Sequence, residues 1–277
     1  MTTPVKTAWI DIAPGNAGYL ALPPAGHGPG LVLFQEIFGV NEHIRAVAEQ
    51  YALDGFVVLA PDCFWRDAPR VELGYAGDDW QRAFSLMKAY KPEDAIADIG
   101  AAVQALRVRP EVAGGKVGAI GYCMGGRLAY LAAATAGVDA AVPYYGGGIH
   151  AQLERAAGVS CPMQFHYAEH DANIPLSAVA SVQQAFASKA AEVHVYIDAH
   201  HGFNCWARES YHAPSAALAH GRALAFLAQH QLEELLDLGR QWLARRLVHV
   251  DIDVAAERIL VRIDALDRRR VARAALR

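Results

Sequence analysis

Three separated groups of residues carry the chemistry in this sequence. The first is Gly121-Tyr122-Cys123-Met124-Gly125-Gly126, which follows a short apolar run ending at Ile120. That run reads as a buried strand, and the segment from Leu128 to Ala134 reads as a helix of good formers. Strand, tight turn and helix joined by Gly-x-Cys-x-Gly have the spacing of a nucleophile elbow, with sulfur where serine usually sits. The glycines have a steric reason. A side chain at such a turn stays reachable only if the residues two before and two after it let strand and helix approach closely. Helix amides then point at the sulfur, and the helix dipole favours thiolate over thiol. Taken alone, this window equally fits a buried, inert cysteine at a strand-to-helix turn.

A thiol nucleophile needs a base, and the base needs an orienting acid. The run from Met163 to Pro175 reads as a strand followed by a short loop carrying Asp171. After the strand at Val193 to Ile197, a loop presents His201 ahead of the last helix. Nucleophile, acid and histidine thus follow strands in order, at the sheet edge where a triad needs them. His166, His170 and His200 compete as bases, but His170 precedes the acid on the same loop and reads as an ordinary surface residue. His201 leads a His-Gly-Phe segment. The histidines lack the His-x-x-x-His or similar spacing of metal ligands, so neither a metal nor a cofactor is expected.

The elements that must position these groups alternate. Residues 5–12 and 18–22 read as a strand pair, and Leu31 to Glu36 as the first central strand, apolar enough for a sheet buried on both faces. Asn41 reads as the N-cap of a helix ending at Asp54-Gly55, and 56–62 as the next strand. A long polar and aromatic excursion from Cys63 to Asp79 precedes helices over 80–90 and 93–107. Beyond the elbow, strands at 139–145, 161–168 and 193–197 alternate with helices at 149–157, 175–190 and 209–230. The pattern predicts an α/β fold: a doubly wound, mostly parallel sheet with helices on both faces and ligands at the carboxyl ends of its strands. The domain is expected over 1–230. Residues 231–277, with a helical pattern to Leu247, an alternating run from Val248 and a basic end, read as an extension. It would cover an edge, make a dimer contact or form a basic tail.

The net charge of −4 excludes a basic nucleic-acid footprint. No apolar run is long enough to span a bilayer, and the N-terminal residues lack the pattern of a secretory signal. Four widely spaced cysteines without a Cys-x-x-Cys pair suit reduced thiols. A cytoplasmic protein, monomeric or homodimeric, is the expectation.

Gln35-Glu36-Ile37-Phe38-Gly39, Pro61-Asp62, the elbow, Tyr144-Tyr145-Gly146, Asp171 and His201-Gly202-Phe203 together resemble the dienelactone hydrolase (carboxymethylenebutenolidase) family of α/β-hydrolases, in order and spacing over about residues 5–230. The resemblance implies a Cys123–His201–Asp171 triad that hydrolyses an enol-lactone through an acyl-thioester. It implies that Glu36 takes the thiol proton in the resting enzyme, and that the amides of Ile37 and Met124 form an oxyanion hole. Phe38, Trp80, Tyr144 and Tyr145 are then expected beside the substrate. One departure matters. Family members that act on a carboxylated lactone grip its carboxylate with two arginines, and the corresponding positions here hold Cys205 and Trp80. Arg82 and Arg208 lie near those positions and are the expected substitutes, their alternative being solvated helix charges. A small ester or lactone is thus the expected substrate, with hydrolysis of other esters or thioesters, or a thiol sensor on the same fold, as the alternatives.

Overall fold

The computed structural model describes residues 4–231. The expected helix and strand beyond Gln231 lie outside those residues. The chain runs β1 (Lys6–Ala13), β2 (Asn16–Leu22), β3 (Gly28–Phe34), α1 (Glu42–Leu53), β4 (Val57–Pro61), α2 (Gly77–Ala89), α3 (Pro92–Arg107) and β5 (Val112–Tyr122). It continues through α4 (Met124–Thr135), β6 (Ala140–Tyr144), β7 (Met163–His170), α5 (Leu176–Ala185), β8 (Ala191–His200) and α6 (Ala213–Gln231).

The strands form one eight-stranded sheet in the order β1-β2-β4-β3-β5-β6-β7-β8. The β1–β2 and β2–β4 pairs are antiparallel and the rest are parallel. The apolar runs sit in the middle for a reason: β3, β4 and β6 are buried at every residue. Helices on both faces exclude water from them. α3 packs on α4, while α6 meets α1 through His220 and Asp54, 3.3 Å apart. Asn41 caps α1 as expected, its side chain accepting from the Ile44 amide at 3.2 Å. None of the described helices is long and apolar enough to cross a membrane.

Three expectations need correction. Residues 149–157 form two short 3-10 turns, Ile149–Ala151 and Leu153–Gly158, because Gln152 leaves helical geometry at φ −138°. The expected loop at Asp198 to His200 belongs to β8, which bulges at Asp198 (φ 59°) and pairs again at His200 with His170. The last helix starts at Ala213, since residues 205–212 run in tight turns ahead of Pro214.

Candidate active site

Cys123 stands between β5 and α4 at φ 57° and ψ −114°, a strained conformation for a residue with a side chain. Its amide donates to the Tyr144 carbonyl (3.1 Å), and its carbonyl accepts from Gly126 (3.0 Å), which holds the turn. The glycines are needed as the sequence suggested. A Cβ on Gly121 would run into the Gly125 carbonyl, one on Gly125 into the Phe34 carbonyl, and one on Gly126 into the Tyr144 carbonyl. Strand and helix therefore close around a side chain that stays partly exposed, while the other elbow residues are buried.

His201 follows β8 and Asp171 follows β7, and parallel pairing of these strands brings them together. His201 Nδ1 donates to Asp171 Oδ2 at 2.7 Å. The other carboxylate oxygen accepts from the amides of Asn173 (2.8 Å) and Ile174 (3.1 Å), so the acid is buried but satisfied. Burial alone would lower the His201 pKa. The Cys123 thiolate charge and the Asp171 hydrogen bond outweigh it and push it up to about 10. Cys123 and His201 line the same cavity.

A cavity of ≈450 Å³ opens over the sulfur. Ile37, Phe38, Trp80, Phe84, Met87 and Met124 make its apolar wall; Asn173, His201, Arg127 and Arg208 supply its polar groups. Ile37 and Met124 line it, and no acceptor is found for either amide among the described residues. Met124 opens α4, where the first amides have no intrahelical acceptor.

Glu36 is buried at the end of β3, but Arg208 Nη1 engages its Oε1 at 3.2 Å, and no hydrogen bond joins it to Cys123. The expected resting contact between thiol and Glu36 is therefore absent. A buried carboxylate is better balanced by a guanidinium than by a neutral thiol. Burial raises the Glu36 pKa against the opposing charges of Arg208 and His201. Arg208 lies near the rings of Trp80, Phe38 and Tyr75 at 5.5–6.0 Å, so it reaches the cavity already paired. Arg82 is exposed and does not line the cavity. It lies two residues from Trp80, nearly opposite on a helix turning about 100° per residue.

Tyr144 and Tyr145 do not line the cavity either. Both are fully buried: Tyr144 stacks on His166 (4.3 Å between centroids), and Tyr145 packs edge-on against His201 (5.1 Å) and Phe203 (5.3 Å). Tyr145 thus supports the base, while Tyr144 packs in the core, because β6 lies in the middle of the sheet. His166 is a satisfied core histidine, bonded to Tyr196 (2.7 Å) and Gln164 (3.0 Å), while His170 and His200 are exposed. Sequence reasoning missed Arg127, which lies one helical turn after Cys123; its amide donates to the Cys123 carbonyl (3.3 Å), while its guanidinium has no ion pair or hydrogen bond among the described residues. It also missed Phe84 and Met87, four and seven residues after Trp80 on the same face of α2. Helical spacing from Cys123 and Trp80 was the available signal.

A strained cysteine elbow after a central strand, with acid and histidine after later strands of a doubly wound sheet, defines an α/β-hydrolase. The profile of the Dienelactone hydrolase family matches residues 17–231, and the chain belongs to that family of lactone and ester hydrolases. It is 38% identical over 212 residues to a carboxymethylenebutenolidase of Pseudomonas putida, covering 76% of this chain and 89% of that one. It is 39% identical over 223 residues to a carboxymethylenebutenolidase of Pseudomonas sp. (strain P51), covering 79% and 92%. Among solved structures, a dienelactone hydrolase homologue from Klebsiella pneumoniae subsp. pneumoniae superposes with a TM-score of 0.70 at 29% identity, over 81% of this chain and 99% of that one.

Proposed function

We propose that this protein hydrolyses a small ester or enol-lactone through an acyl-thioester on Cys123. The observation that carries the reading is the 2.7 Å His201–Asp171 bond placed with Cys123 around one cavity. The Cys123 thiolate attacks the substrate carbonyl, and the charge on its oxygen falls on the Ile37 and Met124 amides. The protonated His201 gives its proton to the leaving oxygen. Acylation removes the sulfur's charge, the larger of the influences that hold the His201 pKa up, while the Asp171 bond still raises it and burial still pulls it down. His201 is then a neutral base, able to take a proton from the water that attacks the thioester. Glu36 contributes as the fixed partner of Arg208 behind the sulfur.

Mixing enzyme with a p-nitrophenyl ester should release a burst of nitrophenol and leave one acyl group on Cys123, read by intact and peptide mass. A burst without acyl mass on Cys123 would exclude the thioester. For an alkyl ester, whose alkoxide must be protonated to leave, the acylation rate should fall as pH rises through about 10, where His201 loses its proton. The sign follows from the role: a raised imidazole pKa keeps the acid form below that value, and leaving-group protonation needs the acid form.

Arg127 points to the substrate class. Its guanidinium lines the cavity without a carboxylate partner, whereas Arg208 already holds Glu36. An ester or lactone bearing an anionic group fits this cavity best. Arg127→Ala should raise KM for a half-ester with a free carboxylate by about 10- to 150-fold, the value of a charged hydrogen bond. A neutral ester of the same alcohol should be spared, and equal losses on both would show general damage.

A further inference from the structure

Beside the Arg208–Glu36 pair lies a group of reactive side chains of which the hydrolase reading uses only Glu36, through Oε1. Glu36 Oε2 is buried without a hydrogen-bond partner, and so are both ring nitrogens of His43 on α1. Leaving such atoms unsatisfied costs about 1–3 kcal/mol each. The free thiol of Cys205 is buried beside them, with the Tyr75 hydroxyl as a hydrogen-bonding neighbour. One ligand atom from each of Glu36, His43 and Cys205 lies within 4.8 Å of the other two.

We propose that Glu36, His43 and Cys205 bind one divalent transition-metal ion of the zinc type, with a fourth coordination position left open. Carboxylate, imidazole and thiolate are the donor set such a borderline ion selects. Metal–ligand bonds of about 2.0–2.3 Å place donor atoms about 3–4 Å apart around an ion, so small side-chain rotations close the site. Binding exchanges the Cys205 thiol proton for a metal–sulfur bond, and the proton leaves to solvent. Thiolate and carboxylate then supply two negative charges against the one positive charge of Arg208, which stays on Glu36 Oε1. The burial that keeps His43 neutral, pushing its pKa down to about 4, leaves a ring nitrogen free to ligate.

The three residues are well held. His43 follows the Asn41 cap of α1 and packs edge-on against Trp206 at 4.2 Å, and the Cys205 amide donates to the Gly202 carbonyl at 2.9 Å. One ligand borders a second cavity. His43 lines a cavity of ≈570 Å³ outside the substrate cavity, whose walls include Glu42, Glu72, Tyr75 and Trp206. Glu72 is paired with Arg45 at 2.7 Å, while Glu42 presents an exposed carboxylate to an arriving cation.

Esterase activity is a poor reporter, because zinc also binds thiol–imidazole pairs such as Cys123 and His201. The test therefore uses the full chain carrying Cys123→Ser, stripped of metal with a chelator and titrated with cobalt(II). Its outcome is independent of the hydrolase reading, which needs Cys123. One equivalent should bind with a near-ultraviolet thiolate-to-cobalt charge-transfer band, and zinc should displace it. The Glu169, His170 and Asp198 cluster at the surface has no thiol and is silent in this band. Adding Cys205→Ser should remove the band, and adding His43→Gln should weaken binding at least about 10- to 100-fold, the loss expected even for an outer partner of a ligand. Circular dichroism checks each fold, and His43→Gln decides if the Cys205 variant does not fold. No band in the Cys123→Ser protein, leaving water as the only occupant, would overturn the site. A band that survives Cys205→Ser, or an affinity unchanged by His43→Gln, would also overturn it.

Discussion

Replacing Cys123 with alanine should lower ester turnover by about 10⁴-fold or more, leaving only what the oxyanion amides and substrate binding supply. The loss is expected to be chemical. Alanine keeps the Cβ, so the strain at φ 57° is unchanged, and the amide still reaches the Tyr144 carbonyl. The melting temperature should therefore stay near that of the parent. Cys123→Ser should lose most of the turnover, because a hydroxyl is far harder to ionise beside His201 than a thiol. The comparison is kcat for a neutral p-nitrophenyl ester, with thermal melts of all three proteins. A folded alanine variant within about tenfold of the parent would leave the sulfur no covalent role.

Asp171→Asn should cost about 10³- to 10⁴-fold in kcat with little change in KM. The carboxylate accepts the His201 Nδ1 proton at Oδ2 and two backbone amides at Oδ1. Asparagine can still accept the amides through its carbonyl oxygen, so the loop after β7 should hold. Its NH₂ group then faces Nδ1 as a donor, which favours the wrong tautomer and leaves the ring no proton acceptor there. The negative charge beside His201 that raises its pKa is lost as well, so the pH profile of acylation by an alkyl ester should shift to lower pH. A variant with unchanged kcat, or one whose loss appears only in KM, would remove Asp171 from the proton-transfer machinery.

Local features of the chain determined a good deal. The apolar runs of β3, β4, β5 and β6 identify buried parallel strands, since a strand covered on both faces has no polar side to display. Gly121, Gly125 and Gly126 mark the elbow because backbone from other elements passes where their side chains would be. The order of Cys123, Asp171 and His201 places all three at the carboxyl ends of strands, a consequence of parallel pairing. The pairing itself could then be expected.

Which side chains fill the space between those ends was decided by the tertiary structure. Tyr144 and Tyr145 sit next to the site in sequence motif and space, yet they point into the core. Arg82 and Arg208 look equivalent as nearby cations. Helix phase turns Arg82 to solvent, whereas the loop after β8 folds Arg208 back onto Glu36, 172 residues away in sequence. That long-range ion pair engages Glu36 and leaves Arg127 as a cation of the cavity without an ion pair among the described residues. The grouping of His43 and Cys205 beside Glu36 joins an early helix to a late loop, with no spacing in the sequence to signal it. Periodicity reports which face of an element is buried, but only packing decides which buried charges meet, because each must find a partner wherever the chain brings one.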